Sequence, residues 1–371
     1  MSETITGVLG LDKRGGGYLR SPARSFQSRP EDPWVPPQLV QKHGLIDGAV
    51  VAGTIEKGRK GPQLGDVSSI CGLSPAAFRS RTPFDKLTAI NPAERFRLGD
   101  GGNVTMRIVD LVAPLARGTR AMIVSPPKAG KTQILEDLAI AIAACDPDAR
   151  IVVLLIDERP EEVTHFRRRV PAEVLASSSD QDTATHVRLA ELAMAQVRCE
   201  LECGRDVVVL IDSLTRLGRA FNLHAAGSGR TMTGGLDARA LEIPRKIFGM
   251  ARNIEHGGSV TVVASALVET GSRMDDLIFE EFKGTGNSEL VLDRKLSDKR
   301  VFPSMDIGKS GTRKEDLLID AARLQKIWVL RKILSASGPV ESMELLLDRL
   351  GKTRNNDEFL ANLQDTGGGR R

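Results

Sequence analysis

One stretch of the chain has the residue types and the spacing of a phosphate-binding loop. Ser125-Pro-Pro-Lys-Ala-Gly-Lys-Thr132 fits the pattern GxxxxGK[ST], except that Ser125 stands where the first glycine is usual. A helix follows, so backbone N–H groups of the turn and of the helix N-terminus should face phosphate oxygens. Lys131 would then meet the β- and γ-phosphates, and the Thr132 hydroxyl would reach Mg²⁺. The residues predicted to contact the nucleotide are Pro127, Lys128, Ala129, Gly130, Lys131, Thr132 and Gln133.

Acidic residues end two other apolar stretches. VVVLIDS places Asp212 at the end of a buried strand, where a carboxylate near Mg²⁺ belongs in a P-loop enzyme. VVLLIDER ends in Asp157 and Glu158, whose side chains alternate across the strand, so only one can readily face the γ-phosphate. Each acid could instead cap the following helix. Three acids beside a P-loop favour a hydrolysis site, in which a carboxylate orients and deprotonates water.

An α/β domain with a mostly parallel sheet is expected to position these groups. From Val104 onward, short apolar runs alternate with helix-like stretches, which is typical of such a sheet. The predicted strands are Arg120–Ser125, Ile151–Ile156, Val207–Ile211 and Val260–Ala266. The predicted helices are Thr132–Ala144, Thr185–Glu202, Asp237–Asn253 and further ones within Leu317–Leu350.

The first part of the chain has another pattern. Residues 4–70 contain β-prone segments separated by turn signals, which indicates a small barrel or sandwich; the segments are ITGVLGL, GYLRS, WVPPQLV and AVVAGTIE. Residues 71–103 are rich in Pro, Ser, Arg and Gly and are predicted to be a linker with one or two short elements. We therefore expect a β-domain over 1–72, a linker over 73–103 and an α/β domain over 104–371.

Composition limits the class of protein. The net charge of +4 is uneven, because residues 1–97 carry 14 Lys and Arg against 9 Asp and Glu, whereas the remainder is close to neutral. This basic excess favours a polyanionic partner, although a plain solvated surface would also explain it. No membrane span or secretory signal is evident, so we expect a soluble, cytoplasmic protein. The four cysteines show no metal-binding spacing, and we expect no zinc site.

Several longer motifs carry a specific resemblance. In chain order around SPPKAGKT, the motifs are LLIDERPEEVTHFRR, DSLTRLGRAFN, RTMTGGLDA, EEFKGTGNSEL and KRVFPSMDIGKSGTRKEDLL. The chain resembles the bacterial transcription termination factor Rho family almost continuously from Val104 to Phe359. Residues 4–70 resemble, more weakly, the cold-shock-like (OB-like) RNA-binding barrel of that family.

This resemblance implies a RecA-like P-loop ATPase that forms a hexameric ring, hydrolyses ATP with Mg²⁺ and moves 5′ to 3′ along RNA. Glu158 then activates the attacking water, and Arg159 senses the γ-phosphate. Asp212 belongs to the Mg²⁺ site through a metal-bound water, Arg216 reaches toward the nucleotide, and Phe302 packs on the adenine. Arg313 would be an arginine finger inserted into a neighbouring subunit; without the resemblance, an ion pair with Glu315 or Asp316 would be preferred.

The resemblance also implies contacts with single-stranded RNA. Two loops, Gly227–Gly235 and Thr270–Met274, resemble loops that line the hole of the ring. The predicted RNA-binding residues there are Arg230, Thr231, Thr233, Arg273 and, near this path or near the nucleotide, Lys283. In the barrel they are Tyr18, Arg20, Trp34 and, more weakly, Lys42, because such barrels stack bases on exposed aromatics. Tyr18 and Trp34 could instead fill the barrel core.

Two departures from the family pattern affect the expected RNA contacts. Where the family has two aromatics alternating with glycine, this chain keeps Tyr18 but has Gly16. Loss of one stacking ring predicts a weaker or altered grip on RNA, by about 1–3 kcal/mol per base. The barrel also begins near residue 4, where the family usually has a preceding helical region, so RNA or partner contacts from such a region cannot be assumed.

Three functions remain open from the sequence. The first is an RNA-stimulated ATPase and helicase that terminates transcription, with RNA polymerase and elongation factors as possible partners. The second is another RecA-type ring ATPase, such as a rotary-ATPase subunit. The third is an RNA-binding ring regulator with little hydrolysis.

Overall fold

Two β-structures organise the chain. The computed structural model describes residues 4–58, 61–225, 235–237 and 239–363; within them, a closed five-stranded barrel precedes a nine-stranded sheet with helices on both faces. The elements in chain order are β1 (Thr4–Leu11), β2 (Gly17–Arg20), β3 (Trp34–Val35), α1 (Pro37–His43), β4 (Val50–Gly58), β5 (Gly61–Ile70), α2 (Pro75–Arg79), β6 (Ala89–Ile90), α3 (Val104–Val112), β7 (Arg120–Ser125), α4 (Lys131–Cys145), β8 (Arg150–Glu158), α5 (Pro160–Arg169), β9 (Glu173–Ser178), α6 (Thr183–Glu202), β10 (Asp206–Asp212), α7 (Leu214–Ala225), α8 (Glu242–Phe248), β11 (Arg252–Ile254), β12 (Ser259–Leu267), α9 (Arg273–Phe282), β13 (Ser288–Val291), α10 (Arg294–Asp298), β14 (Gly311–Thr312), α11 (Ala321–Leu334), α12 (Pro339–Gly351) and α13 (Asn356–Ala361).

The large sheet is mostly parallel, as the apolar runs predict. Its order is β14-β13-β7-β12-β10-β8-β9, and the strands from β13 to β9 in this order pair in parallel. The four strands predicted from the sequence are the central β7, β12, β10 and β8. Their carboxyl ends therefore meet at one edge of the sheet, where ligands bind in open α/β folds.

Two local predictions were wrong. Of the segment WVPPQLV, only Trp34 and Val35 form a strand; Pro37 then begins α1, because proline donates no ladder hydrogen bond but suits the first turn of a helix. In the described part of Asp237–Asn253, only Glu242–Phe248 is α-helical, because the chain then continues into β11, where Arg252 and Asn253 pair with β12.

Residues of the predicted linker pack on the sheet. Ala89 and Ile90 pair with β11, Arg95 bridges to Ala116, and Phe96 is buried in one of the two apolar clusters that cover the faces of the sheet.

The barrel docks directly on α6. A third apolar cluster fills the barrel and extends to Cys199 of α6. Gly48 makes this close approach possible, because a Cβ placed there would lie 2.2 Å from the Ala195 backbone. Ser25 adds a polar contact, in which its hydroxyl accepts from the Ala176 N–H at 2.9 Å.

Among the helices of the described residues, none combines the length and apolar character needed to cross a membrane.

Candidate active site and RNA-binding surface

The turn between β7 and α4 has the backbone of a phosphate-binding loop. Lys128 and Gly130 have left-handed φ values of 65° and 89°, and the helix begins at Lys131. Ser125 still belongs to β7, whose extended backbone requires no glycine, so its departure from the pattern does not disturb the turn. A hydrogen bond from another segment holds the loop in place, since the Ser304 hydroxyl donates to the Ala129 carbonyl at 2.5 Å.

The lysine of this loop meets the acid at the end of β10. Lys131 Nζ donates to Asp212 Oδ2 at 2.5 Å, and the Ser265 hydroxyl donates to Asp212 Oδ1 at 2.8 Å. Asp212 is completely buried and therefore requires these partners. Thr132 and Gln133 follow in the first turn of α4, where Gln133 also donates to Asp137 Oδ1 at 2.9 Å.

A β-bulge decides which of the two acids at the end of β8 faces this lysine. Ile156 pairs with Ser177 and Glu158 pairs with Ser178, so Asp157 is an extra residue, and its φ is 55°. Bulges re-aim the side chains that follow them. Glu158 Oε2 consequently lies 3.9 Å from Lys131 Nζ.

Asp157 instead faces Arg216 in the first turn of α7. Arg216 Nη1 donates to the Asp157 carbonyl and, at 3.1 Å, to its Oδ2, while Nη2 donates to Glu158 Oε1 at 3.3 Å. Arg216 thus links both acids at the sheet edge. The Arg159 side chain is exposed at the start of α5, and its backbone N–H donates to Glu158 Oε1 at 3.3 Å.

The environment of Glu158 suits a proton acceptor. Burial, followed by the nearby Asp212 charge, raises the pKa of Glu158, although Lys131 and Arg216 oppose the rise. A higher pKa makes the carboxylate a stronger base. Its Oε2 is buried and has no hydrogen-bond partner among the described residues, so it can accept a proton from a ligand or a water.

Phe302 and Arg313 lie in very different places relative to the loop. A Cβ on Gly130 would be 4.0 Å from Phe302 Cδ1, so the half-exposed ring of Phe302 lies beside the phosphate loop, where the resemblance implies the adenine.

Arg313 follows β14, and its N–H donates to the Asn287 carbonyl, while Asn287 Oδ1 accepts from the Arg120 N–H. Arg120 is the first residue of β7, so Arg313 lies at the opposite edge of the sheet from the loop.

Glu315, one of the two alternative ion-pair partners for Arg313, is already engaged. Glu315 accepts from Arg331 Nη1 and Nη2 at 2.6 Å each and from Trp328 Nε1 at 3.1 Å. Within the described part of the chain, Arg313 forms no ion pair, and its side chain is exposed.

The barrel presents an aromatic surface rather than an aromatic core. Leu19 points into the barrel, so the neighbouring Tyr18 and Arg20 point outward, and Tyr18 is 38% exposed. Tyr18 and Trp34 pack edge to face at 5.0 Å and line a 370 Å³ cavity with Arg14, Asp32 and Gln63. Lys42 is exposed on α1 and does not line this cavity.

Arg20 is held against this surface by an acid that the sequence analysis did not identify. The buried Asp32 binds Arg20 Nη1 at 2.5 Å and Arg24 Nη2 at 2.9 Å, and the Arg20 guanidinium lies 4.9 Å from the Tyr18 ring centre. Asp32 stands in a short turn two residues before Trp34, and that proximity was the only sequence signal for it.

Gly16 makes room for the larger aromatic. A Cβ at Gly16 would lie 2.4 Å from Trp34 Cη2 and 2.9 Å from the Val35 carbonyl oxygen. The indole of Trp34 therefore covers the space above Gly16. The chain has no aromatic ring at position 16, but the indole of Trp34 lies over that position. The sequence alone did not reveal this placement.

We expect Gly16→Ala to weaken RNA binding, because the added methyl must displace the indole. Loss of one stacking platform costs about 1–3 kcal/mol per base, so affinity should fall by about 5- to 150-fold. The measurement is fluorescence titration with short C-rich RNA in a Trp328→Phe background, which leaves Trp34 as the reporter. Gly101→Ala is the control, since a Cβ there meets nothing within 4 Å. Unchanged affinity in Gly16→Ala would show that the indole position does not matter.

The other predicted RNA contacts are only partly described. Arg230, Thr231 and Thr233 lie outside the described residues. Arg273 is exposed, but it begins α9 rather than lying within a loop, because Ser272 caps that helix by accepting from the Asp275 N–H. Lys283 is the first residue after α9 and pairs with Glu280 at 3.1 Å.

Fold and site together define a P-loop ATPase that carries an RNA-binding domain in the same chain. Residues 105–312 match the ATP synthase alpha/beta family, nucleotide-binding domain, and residues 5–76 match the Rho termination factor, RNA-binding domain. The structure of an ATPase from the type III secretion system of pathogenic bacteria aligns with a TM-score of 0.60 over 80% of this chain and 81% of that one; at 23% identity, this likeness concerns the fold alone.

Curated relatives are more specific. The transcription termination factor Rho of Cereibacter sphaeroides is 47% identical over 95% of this chain and 85% of its own length. The transcription termination factor Rho of Escherichia coli K12 is 44% identical over 95% of this chain and 86% of its own length. The chain belongs to the transcription termination factor Rho family.

Proposed function

We propose that this protein is an ATP-driven, RNA-stimulated helicase that moves 5′ to 3′ along nascent RNA and terminates transcription. The observation that carries the proposal is the direct docking of the RNA-binding barrel on α6. This helix packs on β8 and β10, the strands that bear the hydrolytic acids. RNA held by the barrel is thereby kept next to the ATPase domain. In this assignment residues 1–72 bind RNA, 73–103 link and 104–371 hydrolyse ATP.

We assign the nucleotide site to the loop from Pro127 to Gln133. Backbone N–H groups and Lys131 bind the phosphates, and Phe302 packs against the base. The Thr132 hydroxyl and the Asp212 carboxylate are oxygen donors of the kind that Mg²⁺ prefers, so they suit this ion. When bound, Mg²⁺ supplies charge compensation for the phosphates. Glu158 orients water and accepts its proton, with Arg216 holding the carboxylate and Arg159 beside the γ-phosphate.

We further propose a homohexameric ring. Arg313 lies at the sheet edge opposite its own loop, so its side chain can serve only the site of a neighbouring subunit. Arg230, Thr231, Thr233, Arg273 and Lys283 are proposed to contact RNA inside the ring. RNA polymerase with its elongation factors is the proposed partner complex, and the cytoplasm the proposed location.

The decisive experiment measures ATP hydrolysis by the purified protein without RNA and with single-stranded homopolymers. We expect little hydrolysis without RNA and strong stimulation by C-rich strands. Equal rates with and without RNA would contradict the translocase and favour another ring ATPase. RNA binding without hydrolysis under any condition would instead indicate a ring regulator. Termination itself is tested by ATP-dependent release of transcript from stalled elongation complexes.

A further inference from the structure

Three of the four cysteines meet where the barrel docks on α6. Cys71 follows the last barrel strand, whereas Cys199 lies in the last turn of α6 and Cys203 is the residue that caps the end of this helix. The Cys71 and Cys199 sulfurs are 3.5 Å apart, and all three sulfurs lie within 4.8 Å of one another. Cys71 and Cys199 are buried, and Cys203 is half-buried. The sequence spacing gave no indication of this cluster, because Cys71 is 128 residues from Cys199.

The separations suit a shared metal ion. Sulfurs that each lie about 2.3 Å from one ion are about 3.8–4.0 Å apart in tetrahedral or trigonal coordination. The Cys71–Cys199 separation of 3.5 Å is slightly below that value and no separation within the cluster exceeds 4.8 Å, so small side-chain rotations would bring all three sulfurs onto one ion. Cys71 also keeps a left-handed backbone, with φ of 48°, that directs its side chain from the barrel toward α6.

Cationic and hydrogen-bond donor groups lie beside the cluster. The Arg81 guanidinium acts on both Cys71 and Cys203. The Val50 N–H donates to Cys71 Sγ at 3.4 Å. A second guanidinium lies next to Gly72, the residue that follows Cys71, since Arg205 Nη2 would be 2.4 Å from a Cβ on Gly72.

The number of ligands selects among thiophilic metals. Thiolate sites take Cu(I), zinc or iron–sulfur clusters. Structural zinc is almost always four-coordinate, and iron–sulfur clusters use four protein ligands. Within the described residues, no fourth Cys, His, Asp or Glu joins this group. Three sulfurs without a fourth donor fit Cu(I), which is stable with only thiolates in low coordination.

We propose that Cys71, Cys199 and Cys203 form a trigonal thiolate site for Cu(I) that ties the barrel to α6. Binding releases thiol protons to solvent, so affinity rises with pH. A bound copper ion holds the barrel against α6. The position of the barrel therefore depends on whether copper is bound. This inference concerns metal binding and stands independently of the proposed RNA-dependent hydrolysis.

The test is anaerobic Cu(I) titration of the reduced full-length protein, in competition with a chromogenic Cu(I) chelator. We expect one ion per chain, and a loss of affinity of about 100-fold or more in Cys71→Ser and Cys203→Ser. Cys145→Ser is the matched control, because Cys145 lies on α4 outside the cluster. Copper should also raise the melting temperature of the wild type and of Cys145→Ser, but not of Cys71→Ser.

Three results would overturn the site. The first is wild-type binding no tighter than that of Cys203→Ser, which would mean that the thiols only pack together. The second is a loss of binding in Cys145→Ser that matches the loss in the cluster variants. The third is zinc binding as tight as that of Cu(I), which would show a fourth donor. Melting of each copper-free variant verifies folding, and Cys203→Ser tests the cluster with the least change to buried packing.

Discussion

Replacement of Arg313 by alanine is expected to lower ATP hydrolysis by about 10³- to 10⁵-fold while ATP still binds. An arginine supplied by a neighbouring subunit stabilises charge that develops on the transferring phosphoryl group, and its loss has effects of this size. ATP binding should survive, because Lys131, Asp212 and the loop backbone of the same subunit are untouched. The measurements are the steady-state hydrolysis rate with saturating RNA and the equilibrium binding of a fluorescent ATP analogue.

The position of Arg313 explains why it cannot serve its own subunit. Arg313 follows β14, which pairs with the start of β13. It therefore lies near Arg120, at the amino end of β7. The phosphate loop begins at the other end of β7, about 17 Å away for a strand rise of about 3.3 Å per residue. A ring that places this edge against the loop of a neighbour would complete each site at the interface.

Lys314→Ala is the matched control for this prediction. Lys314 is the adjacent exposed cation, and its Nζ donates to Asn91 Oδ1 at 3.2 Å. The Lys314→Ala variant should hydrolyse ATP at the rate of the unchanged protein. If Arg313 instead formed a surface ion pair, its loss would change stability by no more than about 1 kcal/mol and leave the rate intact. Near-normal hydrolysis by Arg313→Ala in assembled rings would therefore refute the proposed role.

Glu158→Gln is expected to reduce hydrolysis by about 10²- to 10⁴-fold with ATP and RNA binding retained. The substitution keeps the shape of the side chain but removes its ability to accept a proton, and general-base catalysis contributes an effect of this size. The neutral amide can still occupy the buried position beside Lys131 and Arg216. Single-turnover hydrolysis and separate ATP and RNA titrations distinguish loss of chemistry from loss of binding.

Two neighbouring carboxylates provide controls for Glu158. Glu161→Gln lies on the exposed surface of α5 and should leave the rate unchanged. Asp157→Asn should cost less than Glu158→Gln, because the bulge turns Asp157 toward Arg216 rather than toward Lys131. A larger loss in Asp157→Asn than in Glu158→Gln would mean that the role of the base is assigned to the wrong acid.

The local chemistry of the nucleotide site was readable from the sequence. A phosphate loop is a contiguous segment between one strand and one helix, so its eight residues identify it without distant contacts. The same holds for Asp212, because a buried strand that ends in an acid leaves that acid at the sheet edge. Family motifs in the correct order then supplied roles for Glu158 and Arg313 that residue types alone left open.

The tertiary structure decided the features that join distant segments. Regular alternation allows only one of Asp157 and Glu158 to face the γ-phosphate, and it was a bulge in the pairing of β8 with β9 that turned Glu158 to Lys131. Trp34 over Gly16 follows from the antiparallel pairing of two barrel strands, which the sequence did not specify.

The sequence by itself thus identified the family, the loop with the phosphate-binding pattern and the strands that carry the acids, because each depends on residues close together in the chain. Only the tertiary structure determined the opposite placement of Arg313 and the meeting of three thiols, because sheet order and domain docking bring together residues that no local pattern connects.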